Sequence, residues 1–170
     1  NRGQPDEAVR FALERIAELR DRYQLAPDSA AVGTMLLVLA DARLAQDRVA
    51  EAKRHLDDAT GILARARPDF VAVWFVRASL GRRYRETGDF DAAESELLRA
   101  DEGIAGLGSC NSYTDEIRRG ILNELVGLYA ERGQAWQRDE WRAKLDAFDR
   151  AAARTAADNR ESGAPVTAPR

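Results

Sequence analysis

The sequence predicts an all-α chain, built as a solenoid of about seven antiparallel helices: three hairpins preceded by a leading helix. Three observations carry this expectation. The stretch Leu80–Ala100, LGRRYRETGDFDAAESELLRA, reads as two helices joined by a tight Gly88-Asp89 turn. The pattern Leu39-Ala40, Ala52, Leu56, Ala59 recurs as Leu80-Gly81, Ala93, Leu97, Ala100 with a single offset of 41 residues, and a constant offset is what repetition means. Hydrophobic residues, many of them alanine, make up 45% of the 170-residue chain and charged ones 32%, which suits helices with solvated faces better than strands.

Two antiparallel helices that pack along their length need small residues where the backbones approach. Gly81 and Ala93 supply these, and Leu80, Tyr84, Leu97 and Leu98 fill the remaining space at helical intervals. Gly88 ends the first helix where a left-handed conformation is cheap, and Asp89 is placed to cap the second.

The other elements follow in chain order. After Gly3-Gln4-Pro5-Asp6, the residues Ala8, Val9, Phe11, Ala12, Ile16 and Leu19 fall at helix spacing. Gly3 and Ala8 correspond to Gly88 and Ala93, so this segment reads as the second half of a repeat, expected to cap the array and to pack on an upstream helix in a longer protein. Ala26-Pro27-Asp28-Ser29 stops it and caps helix two, which presents Val32, Met35, Leu36, Leu39 and Leu44 before a turn at Gln46-Asp47. Helix three carries Val49, Ala52, Leu56, Ala59, Ile62 and Leu63. Arg67-Pro68-Asp69 breaks the chain, helix four spans Phe70 to Thr87, and helix five runs from Asp89 to about Leu107. A loop at Gly106–Ser112 precedes helix six, with Ile117, Ile121, Leu122, Leu125, Leu128 and Tyr129, and Gly133 lies 45 residues after Gly88. Helix seven holds Trp136, Trp141, Leu145 and Phe148, bulk suited to closing a stack. The predicted domain is 1–157, with repeats at about 28–67, 69–107 and 112–157 after a half repeat at 4–25; residues 158–170 read as a disordered tail or linker.

Composition narrows the function. A net charge of -3 gives no basic field to recruit nucleic acid, and no apolar run is long enough to span a bilayer, so neither nucleic-acid binding nor membrane insertion is expected. Cys110 is the only cysteine, which excludes an internal disulfide and fits a reducing, cytoplasmic setting. His55 is the only histidine, has no acid or cysteine at ligand spacing, and reads as a surface helix residue; no metal site, cofactor or catalytic group is predicted. Neighbouring acids such as Asp57-Asp58 and Asp139-Glu140 point apart on their helices.

The segments RASLGRRYRETGDFDAAESELLRA and LADARLAQDRVAEAKRHLDDA resemble tetratricopeptide repeats. Their period exceeds the minimal 34 residues of that repeat and is similar to the long-helix repeats of kinesin light chain. The likeness covers Gly3 to Phe148 and departs most at Arg138, which stands where an alanine belongs. The third copy, ILNELVGLYAERGQAWQRDEWRAKL, resembles the closing repeat of arrays that follow the catalytic domain of many bacterial serine/threonine protein kinases, although this chain holds no glycine-rich phosphate loop, HRD or DFG segment.

The resemblance implies a right-handed superhelix whose concave face is lined by the first helix of each pair: Thr34, Leu37, Asp41 and Leu44, then Phe75, Ala78, Arg82, Arg85 and Glu86, then Gly120, Asn123 and Gly127. A groove of this kind would bind a peptide or helix of a protein partner, with Leu37, Asp41, Phe75, Arg82, Arg85 and Asn123 as contacts and Arg82, Arg85 and Asn123 orienting it. The expected role is a non-catalytic protein-interaction scaffold, with self-association also possible. The alternatives are the regulatory or substrate-docking tail of a bacterial protein kinase, or the sensor or oligomerisation segment of a transcriptional regulator or signalling ATPase. Arginines concentrate on helix four (Arg77, Arg82, Arg83, Arg85) and acids on helix five (Asp89, Asp91, Glu94, Glu96, Asp101, Glu102), which reads either as a ligand groove or as solvated faces with interhelical ion pairs. Of the adjacent Trp74 and Phe75, one should pack between hairpins and the other face the groove. Trp136 and Trp141 are expected to pack at the end of the array.

Overall fold

Apolar residues at three- and four-residue spacing between short turns favour helices. In the computed structural model, which describes residues 3–107 and 111–161, every regular element is an α-helix: α1 (Gly3–Asp21), α2 (Ala30–Ala45), α3 (Val49–Ala66), α4 (Ala72–Glu86), α5 (Phe90–Ala105), α6 (Ser112–Glu131) and α7 (Ala135–Glu161).

The three hairpin turns share one backbone motif. At the ends of α2, α4 and α6, Asp47, Gly88 and Gly133 take φ of 58°, 82° and 69°. Across them the N–H groups of Arg48, Asp89 and Gln134 donate to the carbonyls of Arg43, Tyr84 and Tyr129, each at 2.9 Å, while those of Asp47, Gly88 and Gly133 donate to Leu44, Arg85 and Ala130. This Schellman pattern satisfies helix-end carbonyls that would otherwise lack donors. Asp47 adopts it without being glycine because a short polar side chain tolerates the left-handed region. The expected caps are in place: Ser29 Oγ accepts from Val32 N–H at 3.4 Å, and the Asp89 carboxylate accepts from Ala92 N–H at 3.2 Å. Asn111 and Thr114 form a reciprocal capping box at the start of α6.

Some boundaries differ from the sequence reading. Gly3 lies inside α1 and so does not play the turn role of Gly88. α4 begins at Ala72 because Phe70 belongs to the preceding turn, its carbonyl accepting from Val73 N–H and its ring lying 4.5 Å under Arg67. α7 continues to Glu161, into the stretch expected to be tail, carried by a run rich in alanine at 151–153 and 156–157, the best helix former. Cys110, and the tail from 162 onward, lie outside the described residues.

The chain divides after residue 109 into two compact units. In the first, α1 to α5 pack in sequence, and α2 also touches α4. Its core joins Leu37, Ala40 and Leu44 of α2 with Ala52, Leu56, Ala59 and Leu63 of α3 and Val73, Val76 and Leu80 of α4. A smaller cluster sets Val9 and Ala12 against Leu39 and Ala42. The repeat is visible in burial: Ala52, Leu56, Ala59 and Leu63 are no more than 1% exposed, as are Ala93, Leu97 and Ala100 at the equivalent positions of α5. In the second unit α6 and α7 pack together, with Ile121, Leu125, Leu128 and Tyr129 buried on α6 and Trp141 and Leu145 buried on α7. Trp141 packs as expected and its ring carries Lys144 at 3.7 Å, but Trp136 is 73% exposed. The two tryptophans are five residues apart, about 140° round the helix, and so cannot share one packed face.

Candidate functional site

The candidate surface of the first unit is what remains of α2 and α4 once their packing is complete. α2 is nearly used up. It lies between α1 and α3 and touches α4, so Leu37, expected as a groove contact, is instead 4% exposed in the core, and Leu44 is equally buried. Four consecutive apolar residues, Leu36 to Leu39, make this helix apolar on nearly all sides, and such a helix is covered on nearly all sides. Thr34 is half-buried, its Oγ1 donating to the Ala30 carbonyl at 2.9 Å. Asp41 reaches solvent, yet the surrounding protein raises its carboxyl pKa by desolvation.

α4 is the more open of the two. Trp74 and Phe75 divide as their adjacency requires: Trp74 is half-buried against Gly103, and Phe75 is 45% exposed. Ala78 is half-buried, and Arg82 is exposed one turn beyond it. Arg82 occupies in α4 the repeat position that Asp41 occupies in α2, with the opposite charge. Arg85 is half-buried and interacts with other groups, so its guanidinium is already engaged. Arg83 is committed as well, 3.3 Å from Asp47 and 3.0 Å from Glu86. Asn123 belongs to the second unit, where it is exposed and its Nδ2 donates to the Arg119 carbonyl at 3.0 Å. The first unit thus brings Phe75, Arg82 and Arg85 onto one helix, with Asp41 on the helix beside it.

A charged cluster between α3, α4 and α5 was not among the expected site residues. Arg77 and Glu96, both essentially buried, pair at 2.5 Å. Arg77 Nη2 donates to Thr60 Oγ1 at 3.0 Å, and Lys53 Nζ lies 2.6 Å from Asp57 and 3.7 Å from Glu96. The hydrogen bond to Asp57 raises the Lys53 pKa. Beside this cluster a cavity of about 410 Å³ is lined by Thr60, Trp74, Arg77, Arg99, Glu102 and Gly103. The sequence did carry a signal, because Glu96 interrupts the apolar stripe Ala93, Leu97, Ala100, Ile104 and Arg77 sits between Val73, Val76 and Leu80. A charge within a buried stripe calls for a buried partner. The cluster realises the interhelical ion-pair reading of the arginine and acid segregation, at least for this pair. His55 is half-buried rather than fully at the surface, its pKa lowered first by burial and then by Arg43 and Arg54.

Among the described residues no group of three or more His, Cys, Asp or Glu side chains could hold a metal ion, and no helix is long and apolar enough to cross a membrane. No protein-family model matches the chain, and no curated protein matches it.

Proposed function

We propose that this chain is a non-catalytic protein-interaction module of the tetratricopeptide type, which receives an extended peptide or a helix on the exposed face of α4 and the adjoining edge of α2. The reading is carried by Phe75. A phenyl ring left 45% exposed on a helix whose other large apolar side chains are packed, with the exposed guanidinium of Arg82 two turns on, offers an apolar contact beside an orienting charge. Affinity would come from the ring and the half-buried Ala78 next to it, and direction from Arg82 reaching a carboxylate or backbone carbonyl of the partner. Leu37 has no part in this version of the site. The tie to a bacterial protein kinase rests on likeness in the α6–α7 segment alone and stands as the alternative setting for the same module.

The test is affinity capture with the wild type and a Phe75→Glu, Arg82→Glu double variant. A partner retained by the wild type should be lost, or weakened by at least about tenfold, on the variant. Equal recovery would remove the α4 face as the binding surface.

A further inference from the structure

α1 packs on α2 through Val9, Ala12, Ile16 and Leu19, and on no other helix among the described residues. With about 100° between successive residues, Glu7, Phe11, Glu14, Arg15, Glu18 and Arg22 gather on a second stripe centred roughly 130° from the packed one. Phe11 is 57% exposed and borders a shallow cavity of about 380 Å³ with Glu14, Arg15 and Glu18. Tyr23, 52% exposed, continues the patch, its ring under the guanidinium groups of Arg15 and Arg22 at 5.7 and 6.0 Å. Glu18 lies between two cations, 2.5 Å from Arg15 and 3.7 Å from Arg22.

We propose that this face docks a second copy of the same chain, α1 against α1, antiparallel about a two-fold axis. The order of charges selects both the occupant and its direction. In an antiparallel pair centred between Glu14 and Arg15, Glu14 of each copy faces Arg15 of the other, Glu7 faces Arg22, and Phe11 lies across the methylene stem of Glu18. A parallel pair would set each of these residues against itself, like charge on like. A uniformly acidic or basic peptide would meet as much repulsion as attraction on a stripe of mixed sign. The surface is separate from the α4 face, so this proposal does not rest on the function proposed above.

Sedimentation equilibrium of the full chain, from about 1 to 100 µM, should show a monomer–dimer equilibrium. Phe11→Glu should leave a monomer with an unchanged far-ultraviolet circular dichroism spectrum. Glu14→Arg alone should weaken the dimer by about tenfold or more, and adding Arg15→Glu in the same chain should restore it, because the cross-pair reforms with reversed polarity. Both of these side chains reach solvent, so the swap leaves the α1–α2 packing intact. A monomer at every concentration would overturn the proposal. So would a dimer indifferent to Phe11→Glu, or one weakened by Glu14→Arg and not rescued by the second change.

Discussion

Gly81 is one of the close approaches in the second hairpin of the first unit. A Cβ added there would lie 2.7 Å from Leu97 Cγ and 3.3 Å from the Ala93 carbonyl oxygen, and neither neighbour is the free end of a flexible side chain. Alanine would gain about 1 kcal/mol in helix propensity, but overpacking a closed contact costs about 1–3 kcal/mol. The balance should leave Gly81→Ala mildly destabilised and Gly81→Leu clearly so, by about 1–3 kcal/mol in urea denaturation. An unchanged midpoint for the leucine variant would mean that the helices do not meet there. Asp41 gives a second prediction at this scale. Desolvation raises its pKa, so the folded chain holds that proton more tightly than the unfolded chain does. The group therefore favours folding below its unfolded pKa and loses that contribution as pH rises through the folded value. Asp41→Asn should raise the melting temperature at pH 7, and the gain should vanish near pH 3 or about one unit below the unfolded value. Solvent access keeps the gain small. A gain that grew toward acid pH would reverse the sign of the argument.

Among the elements, the hairpins are equivalent even where their residues look unrelated. Gly33 of α2 is covered by Ile62 and Leu63 of α3, at 2.9 and 3.0 Å from an added Cβ. Moving 41 residues along replaces Gly33 by Trp74 and Ile62 by Gly103, and an added Cβ at Gly103 would meet the Trp74 ring at 2.4 Å. Small and large have changed places across one contact. Trp74→Gly should destabilise by about 2–4 kcal/mol, and Gly103→Ile should destabilise by overpacking. The double variant, which writes the first hairpin's pair into the second, should recover at least about 1 kcal/mol relative to the sum. Strict additivity would show that the two positions do not touch. Position-by-position comparison of the sequence passes over this pair because a glycine faces a large side chain in both hairpins, but from opposite helices. The offset itself was legible, since Ala52, Leu56 and Ala59 are kept in kind as Ala93, Leu97 and Ala100, and so were the turns, written in Gly88-Asp89 and Gly133. What periodicity could not give was the direction of α2: with Leu36, Leu37, Val38 and Leu39 all apolar, no face is marked as the inner one, and Leu37 was assigned outward when it packs inward.

At the scale of the whole molecule, packing of the helical hairpins leaves part of their surface uncovered, and that surface is the one proposed for interaction. In the first unit that residue of surface is the Phe75–Arg82 face of α4, while α1 carries a second one around Phe11. Asn123 could be grouped with Arg82 and Arg85 on sequence only by assuming one continuous groove, and it stands on α6 in the other unit. Charge reads the same way at this scale: the arginines of α4 are spread among a buried pair at Arg77, turn and surface pairs at Arg83, and the exposed Arg82, so a count of basic residues overstates the groove. The most direct measurement is site-specific photo-crosslinking to a bound partner, with the photoreactive group placed at Phe75 on the exposed face of α4 or at Arg54, exposed on α3. The account predicts that the partner crosslinks from position 75, that the yield falls by at least about tenfold when Arg82→Glu is added, and that position 54 gives only background. Equal yields from the two positions, or a yield at 75 unaffected by Arg82→Glu, would contradict it.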